Sequence, residues 1–306
     1  MGSGAGRVAD RGGAAALPAS RAARRRARPR GERSLSRRRA PSHLAGLVDS
    51  HCHLQDPAFD ADRDVVIRRA VDAGIARILV PGYDLASSRA AIALAEAQPG
   101  LIDAAVGVHP HFAAAPSADE WDELAALAAH PRVVAVGEIG LDFHRNLSPR
   151  AAQQAALARQ LAIAASVGKP VLVHDRDAHD EVRAALTAWA GPASGSLRGI
   201  LHCFSGDAEL ALELVAAGYL VSFALPVSFS SARGPRAAAV ALPEGTFLVE
   251  TDSPWLAPGG ADARNEPTTA LRVAAELARL RGTTPEAIAA SAADAYRRLR
   301  GPAAVS

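Results

Sequence analysis

The sequence predicts an α/β protein, a (β/α)8 TIM-type barrel preceded by a disordered basic tail. Three observations predict it. From residue 45 onward, short apolar runs alternate with amphipathic helical stretches, eight runs in all. The runs are continuous and β-branched, as in Val133-Val134-Ala135-Val136 and Val171-Leu172-Val173, which is how strands covered on both faces read. The chain has 306 residues, 49% hydrophobic and 22% charged, which suits a single large barrel domain. An open doubly wound sheet shares the βα period. No Gly-x-Gly-x-x-Gly follows any run, however, which weighs against a dinucleotide-binding version of that sheet.

Taken in order, strands are expected over 46–51, 76–81, 102–107, 132–137, 170–174, 199–203, 219–223 and 246–250. Helices are expected near 62–73, 86–97, 117–129, 149–167, 177–189, 207–217 and 231–241, with two more over about 267–281 and 284–299 closing the chain. Punctuation supports these bounds. Ser117 precedes Asp119 and Glu120 as an N-cap with an acidic first turn, and Gly74, Gly168 and Gly218 stand at helix ends.

Residues 1–44 differ in kind. They have no hydrophobic period, and they carry Arg24-Arg25-Arg26 and Arg37-Arg38-Arg39. Such a segment buries too little surface to offset its ordering entropy and is expected to be disordered, with residues 45–306 forming the barrel domain. Twelve arginines against Asp10 and Glu32 give residues 1–40 a charge of +10. The whole chain carries +2, so the remainder carries −8. The tail has three possible origins: sequence upstream of the true start, a nucleic-acid-binding arm, or an Arg-rich transit peptide. No apolar run approaches the ~20 residues that span a bilayer, so no membrane association is expected. Cys52 and Cys203 make no disulfide framework and fit a reducing, cytoplasmic setting. Strand alternation turns both thiols away from the neighbouring histidines, as small buried hydrophobes.

Barrel enzymes carry their chemistry at the carboxyl ends of strands. There this chain places His51 and His53, then His109 and His111, then Glu138 and Asp142. His174, Asp175, Arg176 and Asp177 follow the fifth run, His202 the sixth, and Glu250 and Asp252 the eighth. Imidazole and carboxylate together suit divalent ions such as Zn, Mn, Co or Mg. The set is large enough for two ions sharing a bridging carboxylate. Glu138, in the middle of the strand order, is positioned to be that bridge. Asp252 can ligate one ion and also take a proton from an attacking water.

The segments Asp49-Ser50-His51-Cys52-His53-Leu54, Gly107-Val108-His109-Pro110-His111, Gly137-Glu138-Ile139-Gly140-Leu141-Asp142, Pro170-Val171-Leu172-Val173-His174 followed by Arg176-Asp177-Ala178, His202-Cys203-Phe204-Ser205-Gly206, and Glu250-Thr251-Asp252-Ser253-Pro254 with Asn265-Glu266-Pro267 occur in one order over about 46–300. In these the chain resembles the TatD family of metal-dependent hydrolases and deoxyribonucleases. The resemblance implies metal ligation by His51, His53, Glu138, His174, His202 and Asp252. It implies catalysis centred on Asp252 and Glu138 with two divalent ions (Mg, Mn, Zn or Co), and 3′–5′ exonuclease action on single-stranded DNA. It also suggests that His109 and His111 meet the substrate phosphate. Arg176 shares the face of His174 and is a phosphate clamp, or else an ion-pair partner of Asp142, Asp175 or Asp177. Asp142 and Glu250 are expected to orient ligand imidazoles. The chain departs from the family in the loop 258–264, where only Arg264 remains of a more basic stretch, at Ser222-Phe223-Ala224-Leu225-Pro226, and at Asp294.

The expected function is therefore a metal-dependent hydrolase that cleaves DNA phosphodiesters, gripping single-stranded ends locally since the body is acidic. One alternative is a metal-dependent esterase or amidase, such as a D-aminoacyl-tRNA deacylase. Another, of a different class, is a non-catalytic nucleic-acid-associated protein bound through the Arg-rich tail.

Overall fold

The computed structural model describes residues 40–192, 197–260 and 263–301. The expected disordered tail lies outside the described residues as far as residue 39. Leu44, at the end of that expected segment, is buried, and its backbone N–H donates to the Ala73 carbonyl.

Eight parallel strands run in chain order around one sheet. They are β1 (Leu47–Asp49), β2 (Ile75–Pro81), β3 (Ile102–Val106), β4 (Val133–Asp142), β5 (Val171–Arg176), β6 (Gly199–Leu201), β7 (Tyr219–Phe223) and β8 (Phe247–Val249). Helices follow each: α1 (Arg63–Asp72), α2 (Leu85–Ala97), α3 (Ala118–Ala128), α4 (Arg150–Val167), α5 (His179–Ala188), α6 (Ala208–Ala216), α7 (Arg233–Ala241), α8 (Ala270–Arg281) and α9 (Pro285–Arg300). The sheet closes between β8 and β1 just beyond their carboxyl ends. There Ser50 N–H donates to Val249 O, Asp252 N–H to His51 O and His53 N–H to Ser253 O. The backbone pairing that completes the barrel thus also fixes the first candidate ligands.

Local chemistry explains the boundaries. Ser117 caps α3 in a reciprocal box with Glu120, whose carboxylate accepts the Ser117 N–H at 2.7 Å. Asp84 caps α2 in the same way with Ser87. Gly168 ends α4 at φ 65°, a conformation that favours glycine. The β5 run is fully covered, with Val171, Leu172 and Val173 each 0% exposed, while in the β4 run Val134 is only partly buried. The lengths differ from expectation in both directions: β1, β6 and β8 are only three residues each, whereas β4 continues past residue 137 to Asp142, with an irregular register against β5 between Val136 and Ile139. Short 3-10 turns at Pro57–Phe59, Pro110–Phe112, Leu225–Ser228 and Pro267–Thr269 were not expected, and each begins near a proline that fixes φ.

Candidate metal centre

Glu138 stands at the irregular point of β4, where the extra backbone re-aims a side chain. Close backbone approach holds it there. A Cβ on Gly107 would lie 2.7 Å from the Gly137 carbonyl carbon, so only glycine lets the end of β3 press against this segment. The Glu138 N–H donates to Gly82 O across the barrel mouth.

The carboxylate of Glu138 divides its oxygens between two groups of imidazoles. Oε2 lies 3.3 Å from His51 Nε2 and 3.6 Å from His53 Nε2. Oε1 lies 2.8 Å from His202 Nε2, 3.0 Å from His174 Nδ1 and 3.3 Å from His109 Nε2. Asp252 Oδ1 completes the first group at 3.7 Å from both His51 Nε2 and His53 Nε2. Asp252 has φ 55°, a left-handed turn that aspartate tolerates better than most residues. The six residues expected as ligands are therefore brought together from β1, β4, β5, β6 and β8.

The donor chemistry fits a cation. His53 Nδ1 lies 3.1 Å from Pro81 O, and a carbonyl only accepts, so Nδ1 carries the hydrogen. Burial pushes the His53 pKa well down, and the neutral ring then presents a bare Nε2 lone pair. That lone pair lies 2.9 Å from His51 Nε2 and faces two carboxylates. His174 Nδ1 and His202 Nε2 approach to 3.1 Å in the other group. Burial lowers the affinity of both rings for protons, but Glu138, with Asp142 at His174 and Glu250 at His202, outweighs it and raises both pKa values. The site draws positive charge into each gap.

His109 also approaches Glu138 and His174 closely enough to join a ligand set. Its tautomer argues otherwise. His109 Nδ1 accepts the His111 N–H at 3.1 Å, so the neutral ring carries its hydrogen on Nε2, the nitrogen that lies 3.3 Å from Glu138 Oε1. Burial holds the His109 pKa at about 4, which keeps the ring neutral. His111 Nε2 meets Asp142 Oδ2 at 2.8 Å. Asp142 Oδ2 also lies 3.4 Å from His174 Nε2, and Glu250 Oε1 lies 3.5 Å from His202 Nδ1 while accepting the Cys203 N–H at 2.6 Å. Both acids thus sit behind the imidazoles whose other nitrogen faces Glu138. Burial raises the Asp142 pKa, but hydrogen bonds from His174, the Arg145 N–H and His111 outweigh it and hold the carboxyl well below its usual range.

Arg176 is exposed and forms no ion pair among the described residues, whereas Asp175 and Asp177 pair with His179 and His144. Arg264 is engaged. Its guanidinium meets both oxygens of Asp62 and one of Glu266, over the Phe59 ring. Cys52 is fully buried and faces away from the cluster, in an isolated bridge to Ser253 that extends alternation beyond β1. Cys203 lies past the end of β6, at φ 45° and half-buried, so alternation does not govern it as expected.

Three further residues build the site in roles that the sequence reading did not assign. Asp49, 0% exposed, accepts the Thr251 N–H at 2.9 Å and the Thr251 hydroxyl at 2.7 Å, clamping the Asp252 turn onto β1. Gln160 of α4 grips Val108 at both its N–H (2.7 Å) and its carbonyl (3.0 Å), directly before His109. Gln153, one heptad earlier on the same buried face, accepts the Asp142 N–H at 2.8 Å and donates to Ser148 O at 2.8 Å. The available clue is an acid inside an apolar run, and two glutamines seven residues apart on an otherwise apolar helix face.

An eight-stranded barrel with a buried acid set between two groups of imidazoles at its carboxyl end belongs to the class of metal-dependent barrel hydrolases. Comparison with known proteins narrows the class. Residues 48–301 match the family model described as TatD related DNase. The chain is 36% identical over 254 residues to an uncharacterized metal-dependent hydrolase, YabD, of Bacillus subtilis, covering 83% of this chain and 98% of that one. It is 38% identical over 249 residues to the 3′-5′ ssDNA/RNA exonuclease TatD of Erwinia billingiae, covering 79% and 94%. The crystal structure of YJJV, a TatD homolog from Escherichia coli, superposes with a TM-score of 0.75 at 31% identity, covering 83% of this chain and 98% of that one. The chain belongs to the TatD related DNase family.

Proposed function

We propose that this protein is a two-metal phosphodiesterase that removes nucleotides from the 3′ ends of single-stranded DNA. The observation that carries the reading is the division of Glu138, one oxygen toward His51 and His53 and the other toward His174 and His202. His51, His53, Asp252 and Glu138 would hold one divalent ion, and Glu138, His174 and His202 the second, with Mg, Mn, Zn and Co all suited to such donors. Two divalent ions bound there supply a water nucleophile at neutral pH and neutralise charge on the attacking and leaving oxygens.

The chain's own residues do the rest. Asp252 is the acid of the cluster that reaches solvent, with a side chain 17% exposed against 4% for Glu138 and 0% for Glu250. It is therefore the carboxylate that accepts the proton of the attacking water and passes it outward. The His109 Nε2–H holds Glu138 Oε1 in orientation, and His111 stands beside it at the mouth. The unpaired Arg176 guanidinium at the end of β5 binds a phosphate of the strand. The relatives' activity on single-stranded DNA and RNA supports this substrate class. The free Cys52 and Cys203 thiols support a cytoplasmic setting.

The test is a 5′-labelled single-stranded oligonucleotide incubated with purified protein and Mg or Mn. Progressive 3′ shortening is expected, and both Glu138→Ala and Asp252→Asn abolish it. Intact oligonucleotide with each of Mg, Mn, Zn and Co would sink the proposal, as would undiminished cleavage by either variant.

A further inference from the structure

The mouth of the barrel has two chemically distinct arcs. Among the described residues, the exposed large aromatic side chains are Phe112 (36%), Phe229 (55%) and Trp255 (46%), and each lies on a loop that follows the carboxyl end of a strand. Two of them join a continuous aromatic strip. The Trp255 ring meets His53 at 4.7 Å, His53 meets Tyr83 at 5.7 Å, and Tyr83 stacks on Phe112 at 5.8 Å with 28° between planes. The strip crosses the loops after β8, β1, β2 and β3, which are neighbours in the barrel. The next arc, after β4 and at the end of β5, carries the exposed guanidiniums Arg145 and Arg176 and, among the described residues, no exposed Phe, Tyr or Trp; its one exposed imidazole, His144, is paired with Asp177.

Exposed aromatic area at an enzyme mouth costs hydration free energy unless something covers it. Here the strip is anchored on a buried imidazole of the metal centre itself. An occupant must therefore be planar, apolar on its faces, and attached to the group being cut. A nucleobase meets all three conditions, since any base offers a face for stacking regardless of sequence. The adjacent arc supplies the cations that its phosphates require.

Resting on the phosphodiesterase reading above, we infer that Trp255, with Tyr83 and Phe112 beside it, is the stacking surface for the base adjoining the cut phosphodiester. The strand's phosphates run over Arg145 and Arg176. This assigns substrate grip on an acidic body to stacking and two local cations, with no contribution from the engaged Arg264.

The test is a cycle of two proteins and two substrates. Trp255→Ala is expected to raise KM for an intact single-stranded oligonucleotide about tenfold or more, as loss of one stacked base does, while Trp255→Phe stays within about threefold. When the terminal nucleotides are made abasic, the gap between Trp255→Ala and wild type shrinks to within about twofold. An unchanged KM for Trp255→Ala on intact DNA overturns the inference, and so does an equal loss on both substrates, which would mark a structural role. If wild type cuts neither substrate, the phosphodiesterase reading fails, and stacking is read by fluorescence instead. Trp121 (8% exposed) and Trp189 (9%) are covered, so quenching by the oligonucleotide that Trp255→Phe abolishes reports a base on Trp255. Absence of quenching overturns the inference in that case.

Discussion

The two ends of the barrel both bury carboxylates and treat them in opposite ways. At the amino end, Asp103 begins β3 only 4% exposed. Its Oδ2 accepts the Tyr296 hydroxyl at 3.0 Å, and its Oδ1 meets Arg300 Nε at 3.1 Å with Arg77 at 3.6 Å. At the carboxyl end, Glu138 is 3% exposed, and its side-chain ion-pair partners are all imidazoles, five of them. One end neutralises its acid with the chain's own cations and closes. The other surrounds its acid with groups that become cationic only by taking up protons, and it stays open to a cation from outside. A buried acid thus marks structure or chemistry according to its partner, because a guanidinium cannot give up its charge and an imidazole can.

Removing the acid at each end should have opposite consequences. Outer partners of metal ligands cost about 10–100-fold in activity, so loss of a shared ligand costs more, and Glu138→Ala should lower turnover by at least about 10³-fold. Its folding should no longer respond to metal. Divalent ion raises the melting temperature of wild type and leaves that of Glu138→Ala unmoved, as thermal unfolding with and without EDTA would show. An equal metal shift in both proteins would place the binding elsewhere.

Asp103→Ala reverses the pattern. It leaves Tyr296, Arg300 and Arg77 without their shared partner and should cost about 2–3 kcal/mol, less than a fully buried pair because both arginines are partly exposed. Turnover per folded molecule should be unchanged, since the cluster lies at the opposite end. Urea unfolding gives the first quantity and kcat at low temperature the second. A large fall in kcat would mean the two ends are coupled.

Legibility from sequence follows the same division. The strands could be located within a few residues because continuous β-branched runs report burial on both faces locally. The six residues expected as ligands each stand where a run stops, but so do His109, His111 and Asp142, and it is the family resemblance that singles the six out. Asp49 stands in a segment that carries the resemblance, but its role escaped because its partner, Thr251, is 202 residues away. Gln153 and Gln160 escaped because they grip backbone atoms, and a backbone N–H has no sequence. Arg264 read as the remaining cation of a loop, and only the fold shows Asp62 holding it. The aromatic arc is invisible in sequence because Tyr83, Phe112 and Trp255 lie on three loops and become one surface only when the barrel closes.

Gln160 supports the carboxyl end of the barrel. It is fully buried and satisfies both polar groups of Val108. Gln160→Leu removes both hydrogen bonds and leaves a buried N–H and carbonyl unpaired, at about 1–3 kcal/mol. Because Val108 precedes His109, turnover should also fall several-fold, unlike the Asp103 variant of similar stability. Stability and kcat measured on both variants separate a residue that supports the site from one that supports the barrel. Loss of stability alone in Gln160→Leu would assign it to the second kind.

The smallest expected effect belongs to the amino end. Lys169, the only lysine in the chain, precedes β5 and donates to Ala128 O at 2.6 Å and His130 O at 2.8 Å, just past the end of α3. Burial lowers its pKa from 10.5 to about 8. At this side chain the unfolded state therefore binds more protons than the native one between about pH 8 and 10.5, so its contribution to stability rises with pH across that window. Solvent reaches part of the side chain, so the gain is at most about 1 kcal/mol after screening. Burial raises the pKa of Cys52, Cys203, Tyr83, Tyr219 and Tyr296, which pulls stability the other way over this window, so the Lys169 contribution is the difference in slope between wild type and Lys169→Met in urea unfolding at several pH values. A wild-type slope equal to that of Lys169→Met would mean that the two carbonyls hold the ammonium as well as water does. The amino end would then compensate Lys169 as fully as it does Asp103.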